Sequence, residues 1–536
     1  MNPSREARGP DARPPAVLLL SWLLAEVIVP PGIGQAQPVP AGPAFQVNSY
    51  TTSLQASPAL ALGNAGDFIV TWSSGGQDGD DDGIFGRRFD SAGSPIGGEF
   101  QVNTYTTNAQ SYPAVAAGVS VGKFVVTWQS YGQDGNVEGI FAQRLDSAGA
   151  LLGAEFQVNT YTTAAQRDPA VAAEGDFLVV WVSSGQDGSS DGIFGQVHDG
   201  SGAPVGAEFQ VNTHTPADQA APAVARDSMG GFVVVWESDG QDGSSGGIFG
   251  QRLDGAGAPV GLEFVVNTYT TGDQSGPAID VDASGDFVIV WTSDAQDGSA
   301  KGVFGQLFSA SGTPEGGEFQ VNTYTTADQR NPVVATDHSG DFVVVWESVG
   351  QDGNNAGIFA RRYTSAGTPQ GNEFQVNTYT TAAQTAPAVA ARPGGDFVVT
   401  WQSDGQDGSS GGIFARRFAC AAGCSAGDGC CPAGCDHTTD ADCPNSPAIC
   451  KEKKSRDLGK HTFGLARAFG KNLKAPNTLK LVSDISKAQS KLTRRFTRAE
   501  FDSTGLSRGC ATVGDVGTLE GKADIVVEDT LDEIDP

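Results

Sequence analysis

A seven-bladed β-propeller is the fold this sequence predicts, and two repeated markers predict it. The segment Phe-Gln-Val-Asn begins at Phe45, Phe100, Phe156, Phe209, Phe319 and Phe374, with Phe-Val-Val-Asn at Phe264, so a unit of about 55 residues recurs seven times. A tryptophan follows in every copy at a near-constant offset: Trp72, Trp128, Trp181, Trp236, Trp291, Trp346 and Trp401. A repeat of this length is one supersecondary unit that cannot bury its apolar face alone and stacks on its neighbours. Stacking small sheets radially leaves only short, protected edges, which is the propeller solution. An open β-solenoid is the alternative, because such periods also serve open stacks.

Within a copy the sequence reads as four short strands. In the fourth copy these are Phe209–Thr213, Pro222–Ala225, Phe232–Trp236 and Ile248–Leu253; in the last, Phe374–Thr378, Pro387–Ala391, Phe397–Trp401 and Ile413–Phe418. The Phe232–Trp236 strand is apolar on both faces, as a strand covered on two sides requires. Phe45 and Val47 alternate with Gln46 and Asn48, the period of a half-buried strand. Gly-Gln-Asp-Gly and Ser-Ala-Gly segments between strands supply turn residues. No eighth Phe-Gln-Val-Asn follows Phe418, so Phe45–Asn48 is expected to complete the blade that holds Trp401 and close the ring.

The repeats resemble those of large secreted bacterial surface proteins, whose units carry Gln-Val-Asn-Thr-Tyr-Thr-Thr, Pro-Ala-Val-Ala, Phe-Val-Val-Thr-Trp and Gly-Gln-Asp-Gly. All four occur here, at Gln375–Thr381, Pro387–Ala390, Phe397–Trp401 and Gly405–Gly408, and the resemblance covers about 70% of the chain. It implies an extracellular adhesive or scaffolding role and brings no activity with it.

Repetition also sorts the polar residues. Asp78, Asp134, Asp187, Asp242, Asp297, Asp352 and Asp407 recur in every copy, so they read as turn caps that accept backbone N–H bonds. A catalytic centre would instead be a departure from the repeat, because a single site needs a unique constellation. The densest acidic departure is Asp78-Gly-Asp-Asp-Asp-Gly83, where Asp78, Asp80, Asp81 and Asp82 offer the oxygen-rich supply that calcium takes. His198, His214 and His338 fall in different copies with no metal-ligand spacing and are expected at the surface. The side chains give catalysis no positive support.

The flanks differ in kind. Arg5, Arg8 and Arg13 precede an apolar run from Ala16 to Ala25 and then Gly34-Gln35-Ala36, the order of a secretory signal cleaved after Ala36; the run is too short to span a membrane. All eight cysteines lie between Cys420 and Cys510, an even number that implies disulfides in an exported chain. The stretch Gly427–Cys443 resembles cysteine-rich knobs of secreted bacterial proteins and, distantly, the calcium-binding Lin-12/Notch repeat through its Asp-x-Asp-Cys ending, though it is shorter and lacks the paired glycines. On that resemblance Asp436, Asp440 and Asp442 are further calcium ligands. From residue 451 the pattern turns helical, with Leu481, Ile485, Ala488, Leu492, Phe496 and Ala499 at three- and four-residue steps. The chain thus divides into a signal peptide (1–36), a linker (37–44), the propeller (45–419), a cysteine-rich module (420–450) and a helical domain rich in lysine (451–536).

The net charge of −29 is uneven: residues 451–536 carry +3 and the remainder −32. Such an acidic body does not bind nucleic acid or an anionic membrane through its field. The function these features point to is a secreted, non-catalytic binding, adhesion or scaffolding protein whose partner is an extracellular protein or glycan. The alternatives are an extracellular hydrolase or lyase with its site at the channel mouth, and a self-assembling coat protein. Calcium is the one cofactor for which the sequence gives a reason.

Overall fold

In each repeat the Phe-Gln-Val-Asn strand pairs with the blade before it, so repeats and blades are out of phase. The computed structural model describes residues 38–63, 66–118 and 123–419. The signal segment, the cysteine-rich module with Asp436, Asp440 and Asp442, and the helical region lie outside the described residues. Those described form seven antiparallel sheets arranged as a seven-bladed propeller, and none of them is helical. No helix among them is long and apolar enough to cross a membrane.

Blade 2 shows the plan. Its strands Gln110–Gly118, Lys123–Tyr131, Glu138–Leu145 and Leu151–Gln157 pair in that order, from the inner edge outward. The inner strands of successive blades touch one another around the whole ring, the last against the first. The outer strand carries the Phe-Gln-Val-Asn of the next copy, and its last residue extends the ladder after the main chain has turned away. Ile140 donates its backbone N–H to Asn159 Oδ1 at 2.8 Å, and Asn159 Nδ2 donates to Gln166 Oε1 at 3.0 Å and the Tyr161 carbonyl at 2.8 Å. The same asparagine bond recurs in all seven blades.

Blade 7 is completed from the other end of the described chain. Phe45 and Gln46 pair with Ala415 and Phe414, and Ile413 N–H reaches Asn48 Oδ1 at 2.8 Å. The ring is closed, as the ends of the repeat array predict, and the open solenoid is excluded. Val39 and Pro40, within the segment read as linker, also pair with Ala419 and Phe418. In blades 1, 2, 3 and 5 the outer strand begins earlier than the Phe-Gln-Val-Asn motif indicates: in blade 3 it runs Pro204–Gln210, with a register shift between its two halves.

Apolar packing lies between blades. Seven buried clusters each join one blade to the next; the one at the closure unites Val398, Ile413 and Ala415 of blade 7 and Val47 with Phe68, Val70 and Trp72 of blade 1. This is why the second strand is apolar on both faces: Trp72 faces blade 7 while Ile69 faces Trp128 of blade 2. The seven tryptophans of the repeats are fully buried.

Candidate binding site at the channel mouth

Because the sheets are antiparallel, the start of every inner strand, the end of every second strand and the Gly-Gln-Asp-Gly turn lie at one end of the ring. The repeated aspartates cap those turns as their repetition predicts. Asp78, Asp134, Asp187, Asp242, Asp297, Asp352 and Asp407 each accept the backbone N–H two residues on, at 2.9–3.2 Å. In the first turn Asp80 Oδ2 also accepts Asn108 N–H at 3.1 Å, and the Asp81 carbonyl accepts Gly76 N–H at 2.6 Å. Burial, and then the charges of Asp81 and Asp78, raise the Asp82 carboxyl above its usual range. Among the described residues no group of three His, Cys, Asp or Glu side chains is disposed to hold a metal ion.

A second repeated feature is a glutamate that sequence reading passed over. Glu99, Glu155, Glu208, Glu263, Glu318 and Glu373 each precede the Phe of the motif. Glu155 accepts Gln133 Nε2 at 2.6 Å from the turn of its own blade and Thr104 N–H at 2.5 Å from the connector that crosses from blade 1. The other five make the same pair of contacts. Blade 7 has Ala44 at this place.

The inner strands vary where they reach the mouth. Each begins with a fully buried glutamine, and the second residue after it has positive φ: Ser57 (52°), Tyr112 (53°), Asp168 (54°), Ala221 (48°), Gly276 (58°), Asn331 (51°) and Ala386 (49°). The register shifts there, which bulges the backbone at the start of each inner strand. In four blades the residue after the tryptophan serves the bulge of the next blade. Asp168 N–H donates to Gln129 Oε1 at 3.1 Å, Asn331 N–H to Thr292 Oγ1 at 3.2 Å, Ala386 N–H to Glu347 Oε1 at 2.8 Å and Gly276 N–H to Glu237 Oε2 at 3.4 Å.

On this common frame the chemistry differs from blade to blade. Blade 2 places Tyr112 and Tyr131 at the mouth, 54% and 45% exposed. Blade 3 adds Arg167, which pairs with Asp191, lies 3.7 Å from Asp168 and donates to Ser184 Oγ at 3.0 Å. At blades 4 and 5 burial pushes the Glu237 carboxyl up to about 7; the Gly276 N–H opposes the shift, Asp239 and Asp273 add to it, and Lys301 also opposes it. Burial also raises Asp168, against the pull of Arg167, and raises Asp239 with the charges of Asp218 and Asp273 behind it. At blade 6 Arg330 Nε donates to the buried Glu347 at 3.1 Å, and Asn331 Nδ2 does so at 3.0 Å. These are the departures that matter, and columns of the repeat that vary while their neighbours do not would have shown them.

The histidines are not uniformly at the surface. His338 is exposed and His214 half-buried, but His198 is 2% exposed. It takes the place that Phe89, Leu145, Leu253, Phe308, Tyr363 and Phe418 hold in the other blades, and it stacks on Phe177 at 5.0 Å. Burial lowers its pKa to about 4, so it packs as a neutral aromatic ring, and its Nδ1 has no partner. The opposite end of the ring holds small clefts; one of about 30 Å³, lined by Gly118, Lys123, Arg144 and Gly175, has room for a single water.

No protein-family model and no curated protein matches the chain. Solved structures do resemble it: a protein of unknown function from Dyadobacter fermentans at 10% identity (TM-score 0.44, covering 72% of this chain and 99% of that one). An α-L-arabinofuranosidase from Fusarium graminearum, bound to an iminosugar inhibitor, matches at 12% identity (TM-score 0.40, 59% and 97%). A Hadza microbial sialidase matches at 11% (TM-score 0.38, 57% and 66%). At these values the likenesses carry nothing about activity.

Proposed function

We propose that this protein is a secreted, non-catalytic binding module whose ligand seats on the channel mouth. The observation that carries this reading is the contrast at the inner-strand tips: a bulge repeated in seven blades presents a different pair of side chains in each, beginning Ala56–Ser57, Ser111–Tyr112 and Arg167–Asp168. A rigid frame with varied tips is how propellers and other scaffolds build a recognition surface. The charged tips are held in ion pairs or donate to and accept from the main chain, which suits positioning more than proton transfer. The test is a screen of glycan and peptide arrays with the intact protein and with a variant in which Tyr112, Arg167, Asp168 and Arg330 are all alanine. Binding that the variant loses supports the proposal; a measurable turnover with no saturable binding overturns it.

A hydrolase is the second reading, favoured by one observation. Glu237 sits at the mouth with its carboxyl raised to about 7, the state a general acid needs near neutral pH. Glu237→Gln should then abolish turnover of any polysaccharide the protein cleaves. Calcium at Asp78, Asp80, Asp81 and Asp82 belongs to the same proposal, as an ion that would have to gather carboxylates the unliganded turn does not bring together; it would stabilise the fold by about 2.7 kcal/mol at a hundredfold excess over its dissociation constant. An unfolding midpoint that is the same in millimolar calcium and in chelator removes it.

A further inference from the structure

Blade 2 is the one blade with aromatic residues at either variable place of the mouth. The column of Tyr112 otherwise holds Ser57, Asp168, Ala221, Gly276, Asn331 and Ala386; that of Tyr131 holds Gly75, Ser184, Asp239, Asp294, Val349 and Asp404. The two tyrosines lie at the same end of adjacent strands: Ser111, next to Tyr112, pairs with Gln129, and Tyr131 N–H donates to the Ala109 carbonyl at 3.0 Å. Gln129 between them holds Asp168 of blade 3 through the 3.1 Å bond described above, so Arg167 and Asp168 are the immediate neighbours of the aromatic pair.

We infer that Tyr112 and Tyr131, with Gln129, Arg167 and Asp168, form a subsite for a neutral oligosaccharide. This inference rests on the reading of the mouth as a ligand-binding surface and names the ligand class. Two half-exposed rings set among Gln129, Asn108, Arg167 and Asp168 lack the apolar surround of a protein–protein hot spot, whose anchors lie in a fully desolvated centre. Rings of that kind match a ligand that presents an apolar C–H face and a hydroxyl edge at once, as a pyranose does. Tyrosine suits this because its body is apolar and its tip polar. Arg167 is fixed by Asp191 and Ser184, which leaves a planar donor array a third exposed (34%) with its rotamer already set. A pre-oriented guanidinium beside a carboxylate offers donor and acceptor to neighbouring hydroxyls without reorganisation.

Charge decides between sugars. Asp168, Asp191 and Asp218 surround Arg167, and Asp218 also acts on Asp239 in the next blade. That field repels uronates, sialates and sulfated chains, and leaves neutral saccharides.

The experiment is titration of the intact protein with cellohexaose, xylohexaose and mannohexaose, alongside polygalacturonate and an arginine-rich nonapeptide. At least one neutral hexasaccharide should bind saturably. Tyr112→Ala should weaken it about tenfold, about 1.4 kcal/mol, whereas Tyr112→Phe and the blade 1 control Ser57→Ala should stay within about twofold. Arg167→Ala should weaken binding as well, with an unchanged unfolding midpoint confirming that the ring is intact. Failure of all three neutral sugars to bind, or equal binding by Tyr112→Ala, overturns the inference. Binding of the nonapeptide alone, lost when Arg167 and Asp168 are replaced, overturns the sugar and keeps the mouth as a binding surface. If no probe binds at all, both the subsite and the broader reading fall.

Discussion

The joint between blades 1 and 2 and the joint between blades 6 and 7 are assembled from the same parts with one exchange. At both, an asparagine side chain continues the ladder at 2.8 Å and an apolar cluster fills the space to the next blade. Blade 2 then has Glu155, which clasps a connector and a turn, whereas blade 7 has Ala44 and no clasp. The outer strand of blade 7 is otherwise paired like the rest: Val39 and Pro40 lie on Ala419 and Phe418 as Pro95 lies on Phe89 in blade 1 and Leu151 on Leu145 in blade 2. The difference teaches that a blade is held mainly by its outer strand and inter-blade core, with the glutamate as a trim on the mouth side.

The sharpest break of that view is removal of residues 38–48. Blade 7 would lose its outer strand and Val47 its place in the closing cluster, which exposes an unpaired edge. The expected outcome is loss of a single cooperative unfolding transition and concentration-dependent association in sedimentation; a monomer with the parent midpoint would contradict closure. Next in size is Glu155→Ala, which turns the joint between blades 1 and 2 into a copy of the joint between blades 6 and 7. It leaves Thr104 N–H and Gln133 Nε2 without their acceptor, at a cost of about 1–3 kcal/mol by denaturant unfolding, toward the low end because both are partly solvated. Ala44→Glu runs the exchange the other way and should add about 0.5–1.5 kcal/mol. No gain, with the introduced carboxylate shown to reach Thr378, would mean the clasp is not what separates the two joints.

Acid–base behaviour gives smaller effects of opposite sign at two further joints. Folded Glu237 keeps its proton up to about 7 against an ordinary 4.5, so the folded chain binds more protons in that window and stability falls as pH rises through it. Glu237→Gln should flatten that fall. His198 shows the reverse: its folded value near 4 lies below the ordinary 6.5, so stability is lost as pH falls from 6.5 toward 4. His198→Phe, which restores the residue type of blades 1, 5 and 7, should remove this loss. Midpoints measured from pH 4 to 8 check both, and parallel curves for parent and variant would refute the corresponding assignment.

Blade number, strand order and closure were legible because each depends on something local and repeated: Phe45 and Trp401 advertise their blades, and the missing eighth motif advertises the join. The mouth was less legible because its contacts pair residues about 40 or 50 positions apart, such as Gln129 with Asp168 or Glu155 with Thr104, in no recurring local pattern of hydrophobicity. His198 misled for a related reason. Spacing alone treats histidine as a polar group, whereas its place in the third strand, where other blades put Phe, Leu or Tyr, makes it core.

The offset between repeat and blade has a genetic consequence. Since each sheet borrows its outermost strand from the following copy, a crossover between equivalent points of adjacent copies deletes or inserts one whole blade's worth of chain and still leaves Phe45 free to meet Phe414. The reading frame of the fold survives wherever the breakpoints fall. Ring size is then a property of how the wedge-shaped blades pack, and the two strands that lock the ring need no change when the number of copies does.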